Sequence, residues 1–135
     1  MEKLLNNPLK KWAIWGAAFM AVGVIIGAFG AHALKTILPE ARLQSLETAV
    51  RYQMFHGVAL LACVAVFSSF GIAARWPFRL MAWGVVLFSG SIYMLILWHE
   101  AKWQGAALWG PVTPIGGTLI IASWFMVIRE LIKIR

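Results

Sequence analysis

Long runs of apolar residues, separated by short polar segments, set the pattern of this chain. The runs lie at about 12–31, 53–74, 78–98 and 112–130. Each run is close to the ~20 apolar residues that an α-helix needs to cross the hydrocarbon core of a bilayer. The pattern therefore predicts an all-α fold, an integral membrane four-helix bundle that forms one four-span domain over residues 1–135.

The segment between the first and second runs has the spacing of an amphipathic helix. Leu43, Leu46 and Val50 recur on one face, with charged and amide side chains on the other. We therefore predict an amphipathic helix at about 39–52, between the first and second spans. Its placement stays open: it lies on the outer membrane surface or packs over the helix ends, and it turns or runs straight into the second span.

Composition indicates lipid as the main surroundings of the chain. Hydrophobic residues make up 61% and charged residues 13%, about half the charged fraction of a soluble domain. We therefore expect the lipid bilayer to be the principal partner. The formal charge of +7 does not indicate nucleic acid, because the basic residues lie in short flanks beside the apolar runs and form no continuous stripe.

The distribution of the basic residues predicts the topology. Four spans place both termini on one side, where the two tails and the turn at 75–79 hold eight Lys and Arg, against four on the opposite side. Because cytoplasmic loops carry the excess of Lys and Arg, we expect both termini to be cytoplasmic and the loops at 32–52 and 99–111 to lie outside.

An alternative interpretation of the first run is a cleaved secretory signal. Lysines precede it, and "AHA" at 31–33 imitates a cleavage site. The run is longer than the ~7 to 15 apolar residues of such signals. A retained first transmembrane helix is therefore the preferred interpretation.

Small residues within the spans predict close helix packing. Gly23, Gly27 and Ala31 follow each other at four-residue intervals, which lets a neighbouring backbone approach where lipid removes the hydrophobic drive. Lining of a ligand site is the less favoured alternative. The glycines predicted to pack helices are Gly23, Gly27, Gly30, Gly116 and Gly117.

Uncharged polar and imidazole side chains predict a cluster at the outer face. The predicted topology places every histidine of the chain there, and adds an amide one turn from the second histidine and a phenol deeper in the third span. The candidate polar cluster consists of His32, Gln53, His56, Tyr93 and His99. Imidazole binds metals well, but no pair of histidines has i,i+3 or i,i+4 spacing. We therefore expect a structural cluster, with no metal, cofactor or catalytic residue assigned.

Four blocks of sequence touch every predicted span. They are "GAFGAH" at 27–32, "YQMFHGVAL" at 52–60, "LFSGSIYML" at 87–95 and "PVTPIGGTLIIASW" at 111–124. In this order they resemble the YgdD/YwdK-like family of small inner-membrane proteins, a domain of unknown function with a mitochondrial relative in animals. The resemblance implies a four-helix protein of the bacterial inner membrane with an uncleaved first helix, and it supplies no established activity.

The resemblance also marks motif positions in this chain, without a biochemical role for any of them. These positions are Gly27, Gly30, His32, Tyr52, Gln53, His56, Ser89, Gly90, Ser91, Tyr93, Thr113, Pro114, Gly116 and Gly117. The outer loop "HEAKWQGAALWG" is a local extension relative to familiar members.

Two functions are weighed. The preferred one is a non-catalytic helix-packing, accessory or assembly protein, as a homo-oligomer or within a larger membrane complex, because the sequence offers no nucleophile with a plausible base, no paired carboxylates and no phosphate loop. The alternative is a binder or transporter of a small ligand or metal ion at the outer-face polar cluster. An enzyme is not expected.

Overall fold

The chain folds into a bundle of long helices, seen here in a computed structural model that describes residues 8–102 and 105–134. Residues 1–7, which include Lys3 of the predicted cytoplasmic tail, residues 103–104 of the predicted outer-loop extension and residue 135 lie outside the described residues. The long helices are α1 Lys10–Ala31, α2 Glu40–Ser69, α3 Trp76–Glu100 and α4 Val112–Ile132. Short 3-10 turns cover Leu34–Thr36 and Ala106–Trp109.

All four long helices have the length and apolar composition needed to cross a membrane. No strand occurs in the ranges that the structure describes. The prediction of an all-α protein with four membrane-spanning helices is therefore confirmed.

The predicted amphipathic segment and the second span form one continuous helix, α2. Its 30 residues correspond to ~45 Å of helix, well beyond the ~30 Å of a bilayer hydrocarbon core. Leu46 and Ala49 are buried, so the amphipathic part packs against the bundle and does not lie apart on the membrane surface. Of the arrangements left open by the sequence, α2 adopts the straight one.

Helix α2 ends at Ser69, five residues before the end of the apolar run at 74. Gly71 has a φ of 66°, the left-handed conformation in which glycine has no steric penalty. The N–H of Ile72 donates to the Phe67 carbonyl at 2.8 Å and that of Gly71 to the Ser68 carbonyl at 3.3 Å. This hydrogen-bond pair is a Schellman motif, and it stops the helix although the residues that follow are still apolar.

The helices pack as two close pairs, α1 with α2 and α3 with α4, and contacts between α2 and α3 join the pairs. Glycines bring the backbones together in each pair. A Cβ added to Gly16 would lie 2.7 Å from the Gly57 carbonyl oxygen, and one added to Gly116 would lie 2.3 Å from the Phe88 nitrogen. Neither pair could pack this closely with larger residues at these positions.

The glycines predicted to pack helices differ in what they face. An added Cβ would lie 2.5 Å from a Met54 side-chain carbon at Gly23, 3.3 Å from Val50 at Gly27 and 2.8 Å from Leu46 at Gly30. These three glycines on α1 face side chains of α2. At Gly117 the nearest atom is 3.7 Å away, an ordinary contact, so only Gly116 of the two glycines on α4 lies at a close approach.

Two apolar cores hold the bundle together. The larger lies near the start of α1 and the end of α2, where Phe67 and Phe78 are fully buried and meet edge to face with ring centroids 5.0 Å apart. The smaller core, at the opposite end, contains Leu38, Leu46 and Ile96. Polar side chains occupy the level between them.

Candidate functional site

Gln53, on α2, lies at the centre of this polar level and is 5% exposed. Its amide Nε2 donates to the Phe19 carbonyl oxygen of α1 at 2.9 Å. The hydroxyl of Tyr93, on α3, donates to its Oε1 at 3.0 Å. These residues, called the Gln53 bridge below, connect three helices through a single side chain.

Gly23 makes room for the Gln53 bridge on the α1 side. A Cβ at Gly23 would lie 2.5 Å from the Met54 Cγ and 3.5 Å from the Gln53 Nε2. Because glycine has no Cβ, the Gln53 amide reaches the Phe19 carbonyl of α1. The second lone pair of that oxygen is free to accept the hydrogen bond. A buried amide is costly unless it is hydrogen-bonded, and both polar heavy atoms of this amide have a partner.

His56 lies one turn further along α2 and forms a second connection, to α4. Its Nδ1 is 2.7 Å from the Tyr52 carbonyl oxygen, and Trp124 Nε1 donates to its Nε2 at 3.2 Å. Because an indole N–H can only donate, Nε2 accepts and the proton of the neutral ring is assigned to Nδ1. We call Tyr52, His56 and Trp124 the His56 bridge.

Hydroxyl groups add two further connections between helices. Ser89, on α3, donates to the Ala49 carbonyl of α2 at 2.8 Å. Ser91, on the same helix, shares a 2.7 Å hydrogen bond with Thr113 near the start of α4. Both serines are 1% exposed, so they connect helices inside the bundle.

The structure divides the predicted polar cluster. It brings Gln53 and Tyr93 into direct contact and places His56 on the next turn, whereas His32 and His99 are exposed. Among the described residues, no group of three or more His, Cys, Asp or Glu side chains is arranged to hold a metal ion. The expected convergence of all the histidines is therefore corrected.

The continuity of α2 is the physical reason for this separation. Gly30, near the end of α1, faces Leu46, so the outer end of the bundle lies level with Leu46, and His56 is ten residues deeper. Ten residues of helix correspond to ~15 Å. His99 lines a cleft with Arg42, at the same outer level, where Arg42 also forms an ion pair with Glu100.

Sequence reasoning did not find Trp124 as a partner of His56 or the Phe19 carbonyl as a partner of Gln53. Trp124 lies in an apolar run in which nothing marks its indole as a partner of a histidine on another helix, and a backbone carbonyl has no residue signature. Hydrogen-bond partners that lie 34 and 68 positions away are decided by helix packing, which leaves no local signal.

Comparison with known proteins places the chain in a family. Residues 26–117 match the model of a family described as protein of unknown function (DUF423), which is more than half of the 135 residues. The chain belongs to this family. The match contains Gln53, His56 and Tyr93, and it also contains the blocks on which the resemblance was based, apart from the end of the last one.

Bacterial relatives extend over nearly the whole chain. The UPF0382 membrane protein SSP2132 of Staphylococcus saprophyticus is 41% identical over 93% of this chain and 100% of its own length. The UPF0382 inner membrane protein YgdD of Escherichia coli K12 is 36% identical over 91% of this chain and 87% of its own. No solved structure matches the chain significantly. The family resemblance is confirmed, and the chain is a multi-pass membrane protein of a family without an assigned function.

Chemically, the two bridges connect helices. Both polar heavy atoms of the Gln53 amide and both ring nitrogens of His56 already have a partner within the protein. In hydrocarbon each such bond also removes an otherwise unsatisfied polar group. The arrangement fixes the relative positions of all four helices.

Proposed function

We propose that this protein is a non-catalytic accessory or assembly protein of the bacterial inner membrane, which acts by packing its helices against another membrane protein or a second copy of itself. The observation that carries the proposal is the use of its buried polar groups. In the Gln53 bridge and the His56 bridge, the buried polar groups form hydrogen bonds between helices. This leaves the outer helix faces as the surfaces for contact.

The exposed faces of the outer helices suit that role. On α1, Ile14 is 61% and Ile25 is 56% exposed; on α4, Ile121 is 59% and Phe125 is 68% exposed. Lipid covers such side chains as well as protein does, so association in a membrane depends on shape and packing. A bundle fixed by internal hydrogen bonds presents these faces in a constant shape.

The proposed topology has both termini in the cytoplasm. The excess of Lys and Arg in the tails and in the 75–79 turn supports it. The name of the Escherichia coli relative, an inner membrane protein, supports the bacterial inner membrane as the location. The outer end of α2, with the Arg42–Glu100 ion pair, then faces the exterior.

Cysteine crosslinking in native membranes tests the accessory role. In a chain with Cys63→Ala, single cysteines replace Ile25 or Phe125, and a cysteine at Val85, which is 1% exposed, is the matched buried control. We expect at least one exposed position to form one discrete crosslinked product and the buried position to form none. Absence of a discrete product at every exposed position tried on α1 and α4 would contradict the proposal.

The alternative role, binding or transport of a small ligand or metal ion at an outer-face cluster, requires the outer histidines to meet His56. The exposure of His32 and His99 and their ~15 Å or greater axial separation from His56 favour the accessory role. Metal content and the visible absorption spectrum of the purified chain distinguish the two functions. A stoichiometric metal or chromophore would favour the alternative.

A further inference from the structure

A groove runs between α1 and α3, which both pack against α2 but make few contacts with each other. At one end it holds a cavity of about 350 Å³ whose lining includes Lys11, Trp15 and Arg79. Trp15 also lines the next cavity, of about 300 Å³, which reaches Gln53 and Tyr93. The two cavities share Trp15 and Val86 in their walls, and we call them together the α1–α3 groove.

The dimensions and walls of the groove fit an acyl chain. From Lys11 to Ile26, which lines the groove beside Tyr93, the fifteen intervening steps of helix span ~22 Å. One leaflet contributes about half of the ~30 Å hydrocarbon core, so the groove is longer than a leaflet is deep. Beyond the charged end, the walls are apolar and aromatic except for Gln53, which lines this part of the groove together with Tyr93.

The charged end of the groove is complementary to a phosphate. The Lys11 ammonium lies 4.8 Å from the ring centre of Trp12, and the Arg79 guanidinium lies 4.6 Å from that of Trp76. Neither cation forms an ion pair with a described carboxylate. The described carboxylate near this end of the bundle, Glu130, pairs with Lys133 at 2.7 Å.

A buried donor lies at the same end. Trp12 lines the charged cavity and is 6% exposed, and its indole nitrogen has no hydrogen-bond partner among the described residues. Buried polar groups are nearly always bonded, and an exception calls for an explanation. Two cations therefore line one cavity at the end of the groove, and a buried donor without a partner among the described residues lies in its wall.

We propose that the α1–α3 groove binds an anionic phospholipid, with its phosphate between Lys11 and Arg79 and one acyl chain extending toward the Gln53 bridge. In the proposed topology this end faces the cytoplasmic leaflet, which carries the anionic lipids that attract basic residues beside membrane helices. The proposal does not depend on the accessory role, because the groove is complete within one chain.

Native mass spectrometry of the full chain in detergent micelles tests the headgroup contact. Dioleoyl phosphatidylglycerol and dioleoyl phosphatidylcholine are added in equal amounts, and we expect the anionic lipid to be retained about 25-fold better, since each of the two basic residues near the membrane surface contributes ~1 kcal/mol, or ~fivefold. Lys11→Gln and Arg79→Gln should each lower that preference about fivefold.

The matched controls are Lys10→Gln and Arg75→Gln, which remove equal charges from exposed neighbours that do not line the charged cavity. These variants should keep the preference. Equal retention of both lipids by the unmodified chain would overturn the proposal. An equal loss in the control variants would also overturn it, because it would indicate a diffuse charge effect.

A second pair of variants tests the acyl-chain contact. Ala18 lines the groove, so Ala18→Phe should fill it and lower retention of the anionic lipid severalfold, whereas Ala17→Phe, exposed at the adjacent position, should not. Unchanged retention in Ala18→Phe, or a changed oligomeric state of that variant at constant lipid retention, would overturn the proposal. If Ala18→Phe does not fold, the charge variants still decide.

Discussion

Substitution of Gly116 by alanine is a direct test of the α3–α4 packing. The new Cβ would lie 2.3 Å from the Phe88 nitrogen and 2.8 Å from the Gly84 carbonyl oxygen, both of them backbone atoms. Restoring a contact of ~3.5 Å requires the two helices to separate by about 1 Å. Neither neighbour can move away as a flexible side chain would, so the separation involves the whole helix pair.

The cost follows from that separation. Overpacking of this kind costs ~1–3 kcal/mol. The hydrogen bond between Ser91 and Thr113, now 2.7 Å, lies about one turn away and would stretch to a poor distance, and such a bond inside a membrane protein contributes ~0.6 kcal/mol on average. We expect Gly116→Ala to lower the free energy of unfolding by ~2–3 kcal/mol relative to its control.

The control is Gly117→Ala, one position along the same helix. Its Cβ would meet only two Phe88 ring carbons, at 3.7 and 3.9 Å, and both variants gain the same ~1 kcal/mol of helix propensity from replacing glycine. The difference between them therefore isolates the steric effect. The measurement is reversible unfolding in mixed micelles by titration with a denaturing detergent. Equal stability of the two variants would refute the close approach of α3 and α4.

Three further predictions use the same unfolding assay. Gln53→Leu removes both bonds of the Gln53 bridge and should cost ~1–3 kcal/mol, whereas Tyr93→Phe removes one bond and should cost about half as much; equal effects would contradict the geometry. Trp124→Phe removes the donor to His56, so it should lower the free energy of unfolding by ~0.6 kcal/mol and change the ¹⁵N chemical shift of His56 Nε2. An unchanged shift would argue against the hydrogen bond. Gly71→Ala should cost ~1 kcal/mol through its left-handed backbone alone, since an added Cβ meets nothing within 4 Å; a neutral effect would contradict the assigned φ.

The number of membrane helices was predictable because lipid imposes a length requirement that a linear sequence displays directly. The end of α2 was not read correctly, since hydropathy continues to 74 while the chain turns at Gly71. A glycine that closes a helix is a sequence signal of its own, and Gly71 indicates an earlier end of the helix than hydropathy does. The continuity of α2 through 52–53 was left open, because surface helices and helices that continue into a span share the same periodicity.

The candidate site was predictable only in part. Gln53 was grouped with His56, one turn away on the same predicted helix, and Tyr93 was added from the third span; the structure joins Gln53 and Tyr93 by a hydrogen bond. His32 and His99 were grouped with them because the second span was predicted to begin at about 53. That start would place His56 at the outer end of the bundle, beside the other histidines. With α2 beginning at Glu40, the same residues fall at different levels.

The sequence by itself determined that the chain is a four-helix membrane protein, and it displayed the motifs of its family, since both depend on local residue patterns. Only the tertiary structure decided which helices pair, that Gly57 and Gly84 lie at close backbone contacts as the predicted Gly116 does, and which partners the buried polar groups find. Those features depend on helix register and rotation, because packing sets them between residues far apart in the chain.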